Sequence, residues 1–169
     1  MKKQSAGLLV YRQRGGQVEV LIVHMGGPWF AKKEAGAWSI PKGEYENDSD
    51  PLEVAKKEFK EELGKSIPSG EFAELGTIEQ KGKKTVIAWA VEGNLDVSNI
   101  KGNTFEMEWP PRSGNMQEFL EVDRAEWFTL SEASKKLIPA QIEFLERLAD
   151  KLGIDIAPLP GLPSQSSLL

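Results

Sequence analysis

Glu58, Glu61 and Glu62 fall within one short stretch, "KEFKEELG", near the end of a segment that reads as a single helix. Glu58 and Glu61 are i,i+3, and Glu58 and Glu62 are i,i+4, so all three carboxylates point into one sector. Like charges at that spacing destabilise a helix by about 0.2–0.5 kcal/mol. The last turn also carries the negative end of the helix dipole, where cations are preferred. Lys57, Lys60 and Lys65 relieve part of the repulsion. Two readings compete. One is a solvated, highly charged face, since Glu is a strong helix former. The other is a divalent-cation site. Hard cations such as Mg²⁺ take oxygen ligands, keep several waters and bridge to substrate phosphates. Such a cation would remove both penalties.

The helix that must position these groups has clear limits. Asp50 is an N-cap, Pro51 sits at N1, Glu53 takes the N3 position and Gly64 is the C′ residue. The helix is therefore expected over Pro51 to Leu63. Leu52, Ala55, Phe59 and Leu63 recur at helical spacing and form its core stripe.

Composition sets the wider limits. The 169 residues suit one domain; 40% are hydrophobic and 28% charged, as in an ordinary soluble fold. A formal net charge of −5 argues against a nucleic-acid binder. The chain has no Cys and one His, His24, so disulfides, thiolate chemistry and Cys/His zinc sites are excluded. No apolar run reaches the roughly 20 residues that span a membrane. The N-terminal "MKKQSAGLLVYRQRGG" is read as a strand rather than a signal peptide, and a cytoplasmic protein without membrane contact is expected.

Along the chain, strands are expected over Ser5–Gln13 and Gln17–His24, joined at Gly15-Gly16, with a short extended piece over Trp38–Ile40. A hairpin over Glu71–Gln80 and Lys84–Val91 turns at "KGKK". Further strands are expected over Thr104–Trp109 and Glu121–Phe128, with "PPRSGN" as a loop. Thr129 or Ser131 caps a short helix over Glu132–Leu137. Pro139 begins a longer helix with the stripe Ile142, Phe144, Leu145, Leu148 and Leu152, ended by Gly153. The expectation is one α/β domain over residues 1–153, a mixed sheet flanked by helices. A Pro/Ser-rich tail follows over 154–169.

The spacing from Gly43 through "KEFKEELG" resembles the Nudix box of the Nudix hydrolases: Gly, five residues, Glu, seven residues, then Arg-Glu-apolar-any-Glu-Glu-any-Gly. "SAGLLVYRQ", "WSIPKGE" and "EVDRAEWF" extend the resemblance over most of Ser5 to Phe128, toward a bacterial subgroup described as predicted NTP pyrophosphohydrolases. The resemblance implies a Nudix-type α/β/α sandwich. It also implies hydrolysis of a pyrophosphate link in a nucleoside diphosphate joined to a moiety X. Mg²⁺ is the implied cofactor, with Mn²⁺ as an alternative. Glu58, Glu61 and Glu62 would be metal ligands, Glu61 and Glu62 catalytic, and the Gly43 carbonyl a further ligand. Lys42 could contact a phosphate, or be a solvated loop lysine.

For the general base, Glu118 is the first candidate and Glu121 the second. His24 could serve, or could be a polar cap ending its strand. Trp29, Phe30 and Trp38 are candidate stacking surfaces for the substrate, with a core role as the competing reading of Trp38. Arg12, Arg14, Lys32, Lys33, Lys83, Lys84 and Arg112 could attract phosphates or be solvated surface charges.

Two positions depart from the box: Ser49 stands where Glu is expected and Lys57 where Arg is expected. Lys and Ser cannot form the bidentate Arg–carboxylate pair; Asp48 or Asp50 could pair with Lys57 instead. Within the hydrolase reading, dinucleoside polyphosphates, NTPs and nucleotide sugars all remain open. A catalytically weak or silent nucleotide-sensing module is the alternative. A partner-binding protein working through the tail is a third class.

Overall fold

The computed structural model describes residues 3–155. The centre of the fold is a mixed seven-stranded sheet. Its strands are β1 (Lys3–Arg14), β2 (Gln17–Met25), β3 (Trp38–Ser39), β4 (Lys42–Glu44), β5 (Ala73–Gln80), β6 (Lys84–Glu92) and β9 (Val122–Thr129). They run in the order β3-β2-β1-β6-β5, with β4 on β1 and β9 on β2. β1 and β6 are parallel, and the other pairs are antiparallel. Gly15 and Gly16 both have positive φ, 58° and 78°, the geometry of a tight primed hairpin turn between β1 and β2. β7 (Thr104–Glu108) and β8 (Met116–Leu120) form a separate two-stranded ribbon.

Helices cover both faces of the sheet. On one, α1 (Pro51–Leu63) buries Ala55, Phe59 and Leu63 against Ala6, Leu8, Val10, Leu21 and Val23. On the other, α2 (Leu130–Ser134) and α3 (Ile142–Leu152) bury Leu130, Ile142, Phe144, Leu145 and Leu148 against Leu9, Val20, Ile22 and Trp38. This is the expected α/β/α sandwich. The period-2 alternation of β1 divides its side chains between the two layers.

α1 has its expected bounds. Asp50 accepts the Leu52 N–H at 3.1 Å, and Gly64 at φ 65° donates to the Lys60 carbonyl. Elsewhere the structure corrects the expectation. β8 falls in Met116–Leu120, between the expected loop and the expected last strand, where no element was expected, and β9 starts at Val122 rather than Glu121. β7 shows the apolar alternation of its sequence, with Phe105 and Met107 half-buried, whereas β8 is exposed at all but Phe119 and carries no alternation to read. β4 was not expected either; its three residues pair with Ser5, Ala6 and Gly7 of β1. Thr129 is the cap of the short helix, with Glu132 completing a capping box, so that helix begins at Leu130 rather than Glu132. Of the expected tail, Ile154 packs against the core, and residues 156–169 lie outside the described residues. No described helix is long and apolar enough to cross a membrane.

Candidate metal and hydrolysis site

The carboxylates of α1 meet the segment Lys42–Gly43 where β4 runs beside the helix. Gly43 pairs with Ala6 of β1, and the missing side chain faces Glu58. A Cβ on Gly43 would stand 2.2 Å from Glu58 Cγ and Cδ and 2.6 Å from its Oε1. Only glycine leaves that space to the glutamate.

Glu62 is buried, at 9% exposure. Its carboxyl is pushed up to about 8, first by burial and then by Glu58 and Glu121; Lys42, by its charge and a backbone hydrogen bond, pulls the other way. Glu58 is half-buried and is also raised, by burial first and then by Glu61 and Glu121. Burying an aromatic or aliphatic side chain such as Phe59 or Leu63 is worth about 1.5–3 kcal/mol. That outweighs the few tenths lost to like charges at i,i+4. Packing therefore holds the helix in place while its acidic corner stays under repulsion.

Glu121 joins this corner from the junction of β8 and β9. Its charge acts on both Glu58 and Glu62. Its backbone is fixed from two sides: the Gly26 N–H donates to its carbonyl at 2.9 Å, and its own N–H donates to Asn103 O at 3.0 Å. A Cβ on Gly26 would lie 1.9 Å from the Leu120 carbonyl oxygen, so this approach too depends on glycine. Glu118, the first candidate for the base, sits in mid-ribbon opposite Glu106 and is exposed. The three-residue interval between them carries Glu121, not Glu118, to the carboxylates. The sequence holds one sign of this, a glutamate directly after a strand, but no sign of Gly26.

Lys42 is half-buried, and its charge is directed in part at Glu62. Burial holds its ammonium below the usual lysine range, opposed by the Glu62 charge. Lys57 forms an ion pair with Glu61 at 3.8 Å rather than with Asp48 or Asp50; Asp50 is engaged as the helix cap. The i,i+4 partner lies within reach without any loop rearrangement.

Trp38 is not a stacking surface. It is wholly buried in the layer opposite α1, edge-on to Phe128 at 5.1 Å and to His24 at 5.2 Å. Its indole N–H donates to Glu34 at 2.7 Å. Phe30 is partly buried and packs against that same layer. Trp29 is 56% exposed and meets Trp109 edge to face at 5.1 Å. Beside it, Gly27, Pro28, Ala31, Phe119, Leu120 and Asp123 line a groove of about 370 Å³ that begins one residue from Glu121. His24 is fully buried; Nδ1 lies 2.7 Å from Asp123 Oδ1 and Nε2 2.7 Å from the Lys33 carbonyl. Both ring nitrogens are engaged in tying the loop after β2 to β9.

The donor set is all oxygen, which suits Mg²⁺ or Mn²⁺ and not softer ions. The Gly43 cradle and the repelling carboxylates fit such an ion. Among the described residues, no three of these groups already close on one point at ligand distance.

A family model described as NUDIX domain matches residues 1–148. No curated relative matches the chain. Among solved structures, the fold is similar to a C. elegans Ap4A hydrolase in a binary complex, at 21% identity, covering 89% of this chain and 98% of that one, with a TM-score of 0.64. It is similar to the NUDIX domain of Shewanella oneidensis NrtR complexed with ADP ribose, at 12% identity, covering 90% and 89%, with a TM-score of 0.62. A MutT protein from Methanosarcina mazei Go1 matches at 20% identity over 89% and 95%, with a TM-score of 0.58.

Proposed function

From the premise that this chain belongs to the Nudix family, and so is a pyrophosphohydrolase, we propose that it cleaves the pyrophosphate link of a dinucleoside polyphosphate or an NTP in a metal-dependent reaction. The observation that carries the reading is the coupled cluster of Glu58, Glu62 and Glu121, with Glu58 against Gly43, where repulsion and burial leave a demand for positive charge. Glu58, Glu61 and Glu62, with the Gly43 carbonyl, would hold Mg²⁺, or Mn²⁺ in its place. The bound ion would supply positive charge against the phosphate oxygens and lower the pKa of water.

The chain's own groups do the rest. Glu121 is the general base, taking the proton from the attacking water; it stands outside the helix and is free to approach from the side of the ribbon. Lys42 favours the ionised, ligating form of Glu62 by charge and by its backbone N–H, against the larger effects of burial, Glu58 and Glu121. Trp29 and the groove from Gly27 to Leu120 offer an apolar face to a nucleobase, while the phosphates lie toward Glu121. The structural likeness to an Ap4A hydrolase and to a domain complexed with ADP ribose supports a substrate with two ends.

The departures Ser49 and Lys57 favour a second reading, a domain that binds nucleotide with little turnover. Lys57 is exposed and joined to Glu61, so the loop before α1 lacks the bidentate brace an Arg–Glu pair would give. One experiment separates the two: nucleotide release from a panel of NTPs and dinucleoside polyphosphates, with and without Mg²⁺. Metal-dependent turnover of any member supports hydrolysis. Tight nucleotide binding with no turnover across the panel supports the module.

A further inference from the structure

Gln141 immediately precedes α3 in the second helical layer, far in sequence from the carboxylates, and is completely buried. Its amide is fully engaged. Oε1 accepts the Ile40 N–H at 2.9 Å, and Nε2 donates to Ser39 Oγ at 3.0 Å and to Gln80 Oε1 at 2.9 Å. Ser39 Oγ in turn donates to the Ile40 carbonyl at 2.7 Å. The Ile40 N–H is a donor, which fixes the amide orientation. Leaving such a buried group without partners costs about 1–3 kcal/mol, so the network is either complete or disruptive.

The residues it grips lie in a gap of the sheet. β3 ends at Ser39 on β2, and β4 resumes at Lys42 on β1. Between them Ile40 has no ladder partner, and the Gln141 side chain takes that place. The turn is pressed from the opposite side by β1. Leu8 N–H donates to the Pro41 carbonyl at 3.2 Å, and a Cβ on Gly7 would stand 2.6 Å from that same oxygen. Gly43 follows two residues later, with no spare room against Glu58. A small drift of the turn would carry the glycine off the helix.

We propose that Gln141 is a positioning residue, which sets the Ser39–Pro41 turn so that Gly43 meets the cation held by Glu58, Glu61 and Glu62. This rests on the metal reading above. A ligand set needs geometry held within about 0.5 Å, and here the supporting shell is one amide reaching across the sheet.

The test uses the full chain without substrate. Gln141→Met keeps length and apolar bulk but removes the hydrogen bonds. Mn²⁺ binding by electron paramagnetic resonance is expected to weaken about 10-fold, as for other groups that orient metal ligands. Amide exchange at Ile40 is expected to speed up. In turnover, the metal concentration for half-maximal rate should rise, while the rate at saturating metal stays near wild type. Gln80→Leu frees only the far end of the amide and should give a smaller loss in the same direction. Unchanged Mn²⁺ affinity in a folded Gln141→Met protein with an unprotected Ile40 amide overturns the proposal. If that variant does not fold, the same outcome in Gln80→Leu overturns it. A wild-type chain that takes up no Mn²⁺ brings down the metal reading itself, and the positioning role with it.

Discussion

Glu34 and Glu62 are the same residue type driven in opposite directions. Glu34 accepts hydrogen bonds from the Trp38 indole at 2.7 Å and from Arg124 at 2.9 Å, with Lys136 at 3.4 Å. Those partners hold its carboxyl down at about 2, the Trp38 bond contributing most. Glu62 is buried with Glu58 and Glu121 for neighbours, and stands at about 8. The first carboxylate is complete within the fold. The second is not, and needs a charge from outside. An exposed carboxylate with three partners is closed; one buried beside two other carboxylates and opposed only by Lys42 is left open.

The comparison can be broken most sharply at Glu62. Glu62→Gln should lower metal-dependent turnover by at least about 100-fold, since even residues behind a metal ligand cost 10–100-fold. The same variant should melt higher than wild type at pH 8 without metal, because the repelling charge is gone. Glu34→Gln should do the reverse: turnover retained and melting lowered, within about 1 kcal/mol for an exposed network. Matching melting shifts in the two variants would dissolve the contrast.

Glu121→Gln tests the base. Turnover should fall by about 10²–10⁴-fold, with metal binding retained by calorimetry. Glu118→Gln should leave turnover near wild type, and a large loss there would exchange the two roles.

pH gives a subtler test. Glu62 carries a pKa of about 8 folded against 4.5 in its ordinary state. Below 4.5 both folded and unfolded chains hold the proton. Between the two values only the folded chain does, so unfolding releases it. Stability without metal should then fall as pH rises from about 5 to 8 and level off above. Glu34 adds stability above 4.5 that is lost as pH falls toward 2. Saturating Mg²⁺ should flatten the first slope and leave the second. Denaturant melts across pH, with and without metal, would read both.

The parts of this fold written in local signals were legible in the sequence. Asp50, Pro51 and Gly64 delimit α1, Gly15-Gly16 marks the first hairpin, and the stripe from Ile142 to Leu152 gives α3. The grouping of Glu58, Glu61 and Glu62 follows from helical spacing alone. What was not legible depends on residues distant in the chain. Glu121 reaches the corner because Gly26 lets the ribbon close on β2. Trp38 reads equally as a stacking aromatic or a core residue from its neighbours, and α2, α3 and β9 enclose it. For Lys57 the sequence offers Asp48 or Asp50, and helix geometry selects Glu61 instead. Gln141 carries no sequence mark at all, since its partners are Ser39, Ile40 and Gln80.

The parallel register between β1 and β6 matches Lys3 with Lys84 and Tyr11 with Glu92. The strand beneath α1 has β2 and β4 from its own half of the chain, but its remaining neighbour, β6, comes from the other half. A fragment cut after Gly64 would hold every residue of the acidic box and still lack β5, β6 and β9 of the sheet that gives the box its shape. Closing so long a loop is slow, so the power to bind the ion should emerge late in folding, in one step with the global structure.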